Sequence, residues 1–190
     1  MSKFFAFIYR MKYITRWALM RNTMHENVAE HSYHVSLLSH ALAVIGRDVF
    51  KKSVSPERAA ACALYHDMPE ILTGDMPTPV KYFSPEIRSA FSKLENSAAE
   101  RLLTLLPAEV KDGIASAAMP DDPELKKLIH AADKLSAYIK CLEERRAGNR
   151  EFIKAEEQIK KDLLKLGMPE VDYFIDNFIP AFSLTLDELD

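Results

Sequence analysis

Cysteine is scarce: Cys62 and Cys141 are the only two in 190 residues. They stand far apart inside helical patterns, which excludes a disulfide framework and a zinc-knuckle spacing and leaves two buried thiols. Glycine is nearly as scarce, with five, and no low-complexity linker interrupts the chain. Long apolar runs are missing as well. Nothing approaches the ~20 apolar residues of a membrane span, and "MSKFFAFIYRMK" is too short and too often broken by bases for a signal peptide. A cytoplasmic protein with no membrane partner is expected. Acidic residues are absent from positions 1–25, which hold Lys3, Arg10, Lys12, Arg16 and Arg21; after Lys165 there are only acids, Glu170 through Asp190. The net charge of -3 argues against a nucleic-acid polymer as partner, because such binding needs a broad basic surface. A small anion near the basic N-terminal segment is compatible with it.

What is present is helical period, without convincing strand alternation. From Asn27, apolar residues recur at Val28, Val35, Leu38, Leu42 and Ile45, with Gly46 as the expected stop; Asn27 and Glu30 have the spacing of a capping box. "SPER" at 55 and "SPEI" at 84 each offer a Ser N-cap, a Pro at the first helical position and an early Glu. They predict helices from Pro56 to Asp67, with Ala60, Ala63, Leu64 and Asp67 on one side, and from Pro85 to about Leu106, with Ile87, Phe91, Leu94, Ala98 and Leu102 inward. Asp122-Pro123 opens a long helix closing at Gly148, with Leu125, Leu128, Ile129, Ala132, Leu135, Ile139 and Leu142 as its stripe. "EFIKAEEQIKKDLLKLG" reads as an amphipathic surface helix ending at Gly167. The expectation is an all-α single domain spanning residues 1–190.

Three ionisable sites disturb this pattern. His31 lies in the middle of the apolar stripe of its helix, so its imidazole faces the core; His25, His34 and His40 lie off or at the edge of that stripe. Asp67, beside His66, shares a face with Ala60, Ala63, Leu64 and Ile71, where an unpaired carboxylate would cost several kcal/mol to desolvate. Asp133 borders the stripe of the long helix. One divalent cation would satisfy all of them, since two imidazoles and two carboxylates suit a first-row metal with positions left open for water and substrate.

The order His31, His66-Asp67, Asp133 on separate helices resembles the H…HD…D pattern of the HD-domain phosphohydrolase superfamily. "RWALMRN" at 16–22, "ENVAEHS" at 26–32, "YHDMPEILTGDMPTPVKYF" at 65–83 and "ADKLSAYIKCLEE" at 132–144 are similar to the bacterial YfbR-type 5'-deoxynucleotidase family within it, and "VDYFI" extends the likeness toward the C-terminus. The resemblance implies an all-α HD-domain homodimer that removes the 5'-phosphate from deoxyribonucleoside monophosphates. It implies one divalent transition metal on His31, His66, Asp67 and Asp133, with cobalt favoured and manganese or another ion possible. Carried over by position, it makes Arg16 and Trp17 the pair that holds and orients phosphate, and Asp75, Met76, Pro77 and Thr78 the substrate-binding turn. Substrate contact then extends to His31, Asp67 and Asp133. Glu70, about one turn past Asp67, is either a catalytic acid or base beside Asp67 or a salt-bridge partner; Trp17 is either a sugar-phosphate contact or a core residue, and Asp75 either accepts from the sugar 3'-hydroxyl or only shapes a turn. His130 stands on another side of its helix, exposed, and adds no second metal. The competing readings are a hydrolase of an alarmone or cyclic nucleotide and a non-catalytic helical metal-binding module.

Overall fold

A computed structural model describes residues Met1–Asp190. Ten α-helices follow one another: α1 (Phe4–Ile8), α2 (Val28–Asp48), α3 (Pro56–Ala63), α4 (Glu70–Thr73), α5 (Thr78–Lys81), α6 (Pro85–Leu103), α7 (Ala108–Ala118), α8 (Pro123–Arg146), α9 (Ile153–Lys165) and α10 (Pro169–Asn177), with short 3-10 turns between and after them. The sole extended pairing is an antiparallel bridge between Thr15 and Asn27. No helix is long and apolar enough to cross a membrane. The expectation of an all-α protein is met.

The helix starts fall where local chemistry places them. Asn27 accepts from the Ala29 and Glu30 amides while Glu30 reaches back to the Asn27 amide, completing the capping box. Ser55, Ser84 and Asp122 cap α3, α6 and α8, each with proline next in the chain. Two ends differ from expectation. Gly46 does not stop α2, which continues to Asp48; the reversal is made instead at Lys51 (φ 57°), and the Lys52 amide donates back to the Gly46 carbonyl at 2.9 Å. α3 stops at Ala63 rather than Asp67, and residues 65–70 wind in tight turns with amides of His66, Met68 and Glu70 donating to carbonyls three residues earlier. Pro69 enforces this change, since it has no N–H for a continuing α-helix and restricts the residue before it. α7 and α10 were not marked out by the sequence pattern.

A large core joins α2, α3, α8, α9 and α10 through Val35, Leu42, Ala63, Leu128, Leu135, Leu163 and Val171. A smaller one unites Phe4 of α1, Met68 and the end of α6. Leu42 and Leu135 are wholly buried, so truncating either to Ala would cost about 2–5 kcal/mol. The expected stripe of α8 holds, whereas on α6 Ile87 and Leu94 are 38% and 53% exposed; only Phe91, Ala98 and Leu102 of that set are buried. Leu64 is likewise exposed, because the helix that would have turned it inward has ended. Both cysteines are free and buried.

Candidate metal centre and substrate face

His31 projects from the first turn of α2 and is completely buried. Its Nδ1 lies 3.3 Å from Ser136 Oγ on α8, and its Nε2 lies 3.0 Å from Asp133 Oδ1, one turn earlier on α8. The tight turns after α3 bring the remaining pair in. His66 donates from Nδ1 to the Ala63 carbonyl at 2.7 Å, which fixes the tautomer and leaves Nε2 as the lone-pair nitrogen. Asp67 Oδ2 stands 3.1 Å from His66 Nε2 and 3.4 Å from His31 Nε2. A regular α-helix would have splayed these two neighbours by 100°.

Donor atoms of His31, His66 and Asp133 all lie within 4.8 Å of one another. Both Nε2 atoms are buried without a hydrogen bond of acceptable geometry. Orphaned imidazole nitrogens aimed at one point beside two carboxylates are the donor set a divalent first-row cation requires, so the residues present fit such an ion. Electrostatics agree: burial opposes a charge on His66, yet Asp67 and Asp133 outweigh it and raise its pKa to about 9. Burial likewise opposes the Asp67 charge, and His66 and His31 overcome it, holding the carboxyl at about 2. Asp133 is also drawn below its ordinary range, mainly by His31 against the cost of burial. The cluster concentrates negative charge and calls for a cation.

Arg16 flanks the cluster, its Nη1 3.5 Å from Asp67 Oδ2. Burial works against its charge, but Asp67, Asp133, Glu26 and Asp75 keep it protonated. Glu70 is buried with Oε2 unpartnered; burial, then Asp67 and Asp75, push its pKa to about 9. No salt bridge reaches it. Asp75 is half-buried, and its pKa is raised by burial, partly offset by Arg16. Met76 and Pro77 are half-buried at the start of α5, and Thr78 is exposed. Trp17 turns its indole toward Phe152, ring centroids 5.3 Å apart. His130 is exposed, and His25, His34 and His40 are exposed away from the cluster.

Three groups escaped the sequence reading. Ser136 seats His31, Glu26 binds both Arg16 and Trp17, and buried Glu144 with Lys140 anchors the loop at Thr23 and Met24. Glu26 precedes its helix, so periodicity does not register it.

The family model described as 5'-deoxynucleotidase YfbR-like matches residues 3–182. The 5'-deoxynucleotidase of Vibrio cholerae is 45% identical over 190 residues, covering 99% of this chain and 98% of that protein; that of Cronobacter sakazakii is 46% identical over 192 residues, covering 99% and 96%. Among solved structures, an HD-domain phosphohydrolase from Listeria innocua superposes with a TM-score of 0.82 at 24% identity, over 95% of this chain and 88% of that one. The HD phosphohydrolase of cyanophage S-2L, solved with dA and one catalytic Zn2+ ion, gives 0.68 at 20% identity over 92% and 95%. The fold is therefore that of the HD-domain phosphohydrolases, and the chain belongs to the YfbR-like 5'-deoxynucleotidase family.

Proposed function

We propose that this chain hydrolyses deoxyribonucleoside 5'-monophosphates to deoxyribonucleoside and phosphate, with one divalent transition-metal ion held by His31, His66, Asp67 and Asp133. The observation that carries this is the pair of buried, orphaned Nε2 atoms beside Asp67 and Asp133, with the half-buried Arg16 3.5 Å away from Asp67. Family membership supports the substrate class, because relatives about 45% identical along their whole length are named 5'-deoxynucleotidases.

When bound, the ion supplies Lewis acidity and an acidified water. The protein's own groups do the rest. Arg16 donates from its planar fork to the phosphate dianion and remains charged throughout. Glu70, held protonated near neutral pH by burial and by Asp67 and Asp75, gives its proton to the departing nucleoside 5'-oxygen. Asp75 accepts from the sugar 3'-hydroxyl, and Met76, Pro77 and Thr78 form a wall whose prolines stiffen it before substrate arrives; rejection of a ribose 2'-hydroxyl belongs to this wall. Trp17 borders the phosphate through its place beside Arg16. Cobalt is the favoured metal, with manganese or another divalent ion as the alternative, and the working form is a cytoplasmic homodimer whose subunit is a single domain of residues 1–190, acting on mononucleotides rather than on nucleic-acid polymers.

The deciding experiment reconstitutes metal-depleted protein with each divalent ion and measures phosphate release from paired deoxy and ribo 5'-monophosphates, cyclic nucleotides and pyrophosphorylated nucleotides. Release from deoxy monophosphates is expected. A strong preference for cyclic or pyrophosphorylated substrates, or no hydrolysis with any ion, would overturn the assignment.

A further inference from the structure

Arg16 and Trp17 share one carboxylate oxygen. Glu26 Oε2 accepts from Arg16 Nε at 3.1 Å and from the Trp17 indole N–H at 2.9 Å. Glu26 is only 9% exposed, and its backbone is fixed as well as its side chain. The Arg16 amide donates to the Glu26 carbonyl at 3.0 Å, the Val28 amide donates to the Ile14 carbonyl at 3.0 Å, and Thr15 pairs with Asn27 between them. Residues 14–17 are thereby tied to the start of α2, the helix that carries His31 one turn further on.

Trp17 adopts a φ of 58°, a left-handed conformation that costs a non-glycine residue about 1–3 kcal/mol and persists only where the surroundings impose it. The indole hydrogen bond and the Phe152 ring are those surroundings. The consequence falls on Arg16. A guanidinium can present a fork either from its Nε side or from its terminal end. Glu26 occupies Nε, so the terminal nitrogens are the ones left to face Asp67, with Nη1 3.5 Å from Oδ2.

Charge alone would not call for Glu26 here. A carboxylate 3.1 Å from the arginine repels an incoming phosphate and offsets part of the attraction Arg16 exerts, so its benefit must be geometric. We infer that Glu26 is a positioning residue: it holds Arg16 and Trp17 as one unit and decides which edge of the guanidinium meets the phosphate. The inference deepens the proposed phosphomonoesterase reading and rests on it for the identity of the ligand.

The test compares Glu26→Ala, Glu26→Gln, Arg16→Ala and the double variant Glu26→Ala/Arg16→Ala for kcat, KM, metal content and melting temperature. Trp17 is the only tryptophan, so one indole N–H resonance and one emission spectrum report its environment alone. Glu26→Ala is expected to shift that resonance, speed its exchange with water, and lower kcat/KM by about 10- to 100-fold, as small misplacements of a positioning group do, with metal content unchanged. Glu26→Gln keeps an oxygen that can accept from both donors and should restore the resonance and most of the turnover. The double variant should lose less than the product of the two single losses, because Glu26 acts in part through Arg16. Losses that multiply in the double variant, or an indole resonance unmoved in Glu26→Ala, would overturn the inference. Should native protein fail to hydrolyse deoxy monophosphates, the functional reading falls separately. Inorganic phosphate then decides the positioning: native protein responds at the indole resonance, and Glu26→Ala should need at least about tenfold more phosphate for that response, given the same cost of misplacement. Equal phosphate dependence in the two proteins would overturn it.

Discussion

Glu144→Ala should lower the melting temperature by roughly 6–20 °C. Glu144 has no exposed surface and Lys140 is 5% exposed. The carboxylate takes the Lys140 ammonium, the Thr23 amide at 2.9 Å and hydroxyl at 2.7 Å, the Met24 amide at 3.1 Å and the Asn149 amide group at 2.8 Å. Deleting it strands a buried cation, a loss of about 3–5 kcal/mol; in a chain of this size each kcal/mol shifts the midpoint by about 2–4 °C. Thermal melts and urea titrations at neutral pH would measure it. Pairing Glu144→Leu with Lys140→Met removes both charges, and at least half of the lost stability should return, because Thr23 and Met24 are exposed and their amides can turn to water. A double variant as unstable as Glu144→Ala would refute the stranded-charge reasoning and assign the cost to the loop's hydrogen bonds. Acid supplies a second check. Burial would raise the Glu144 pKa, but Lys140 and Thr23 hold it well below the usual range. Its contribution is therefore complete above the unfolded value of about 4.3 and lost as pH falls below it. Glu144→Ala should melt with a flatter dependence on pH below that value.

Asp67→Ala should lose both bound metal and activity, whereas Arg16→Ala should keep the metal, read by elemental analysis, and lose about 10²–10³-fold in kcat/KM, the usual cost of one charge-stabilising donor; normal turnover by Arg16→Ala would reject the phosphate clamp. Glu70→Gln should retain metal and lower kcat by about 10²–10⁴-fold. Since burial with Asp67 and Asp75 sets the Glu70 pKa at about 9, the native kcat should decline above that pH, and an unchanged kcat in the variant would remove Glu70 from proton transfer. Saturating metal at about 100 times its Kd should stabilise the fold by ~2.7 kcal/mol, or about 5–11 °C, and His31→Ala should abolish that metal-dependent shift in calorimetry.

Helix starts were legible because a cap is a contact between residues two or three apart: Asn27, Ser55, Ser84 and Asp122 all cap as the sequence indicates. Helix ends were less so. α2 passes through Gly46 because a single glycine inside a helix costs only ~1 kcal/mol and its final turn is closed by Lys51 and Lys52. The mistaken inward faces have a common cause. Ile87 and Leu94 satisfy the helical period, but the buried residues of α6 are Phe91 and members of its C-terminal half, and periodicity describes a face without saying how much of it is covered.

The metal-binding candidates stood out because a histidine or aspartate on an apolar stripe contradicts its surroundings, and the contradiction is visible residue by residue. Glu26, Lys140 and Glu144 are as buried as those candidates but contradict nothing in the sequence. Lys140 and Glu144 have the i,i+4 spacing of an ordinary solvated helix pair. They are buried because the loop from Thr23 to Met24 crosses α8 and because Asn149 folds back onto it, events separated by more than a hundred residues in the chain. The same holds for Arg16: no period governs a segment outside the helices, so its direction is set by the pairing of residues 14–16 with 26–28. The residues that contact a ligand are thus readable where they violate a local rule, while those that aim them obey every local rule and are revealed only by the tertiary fold.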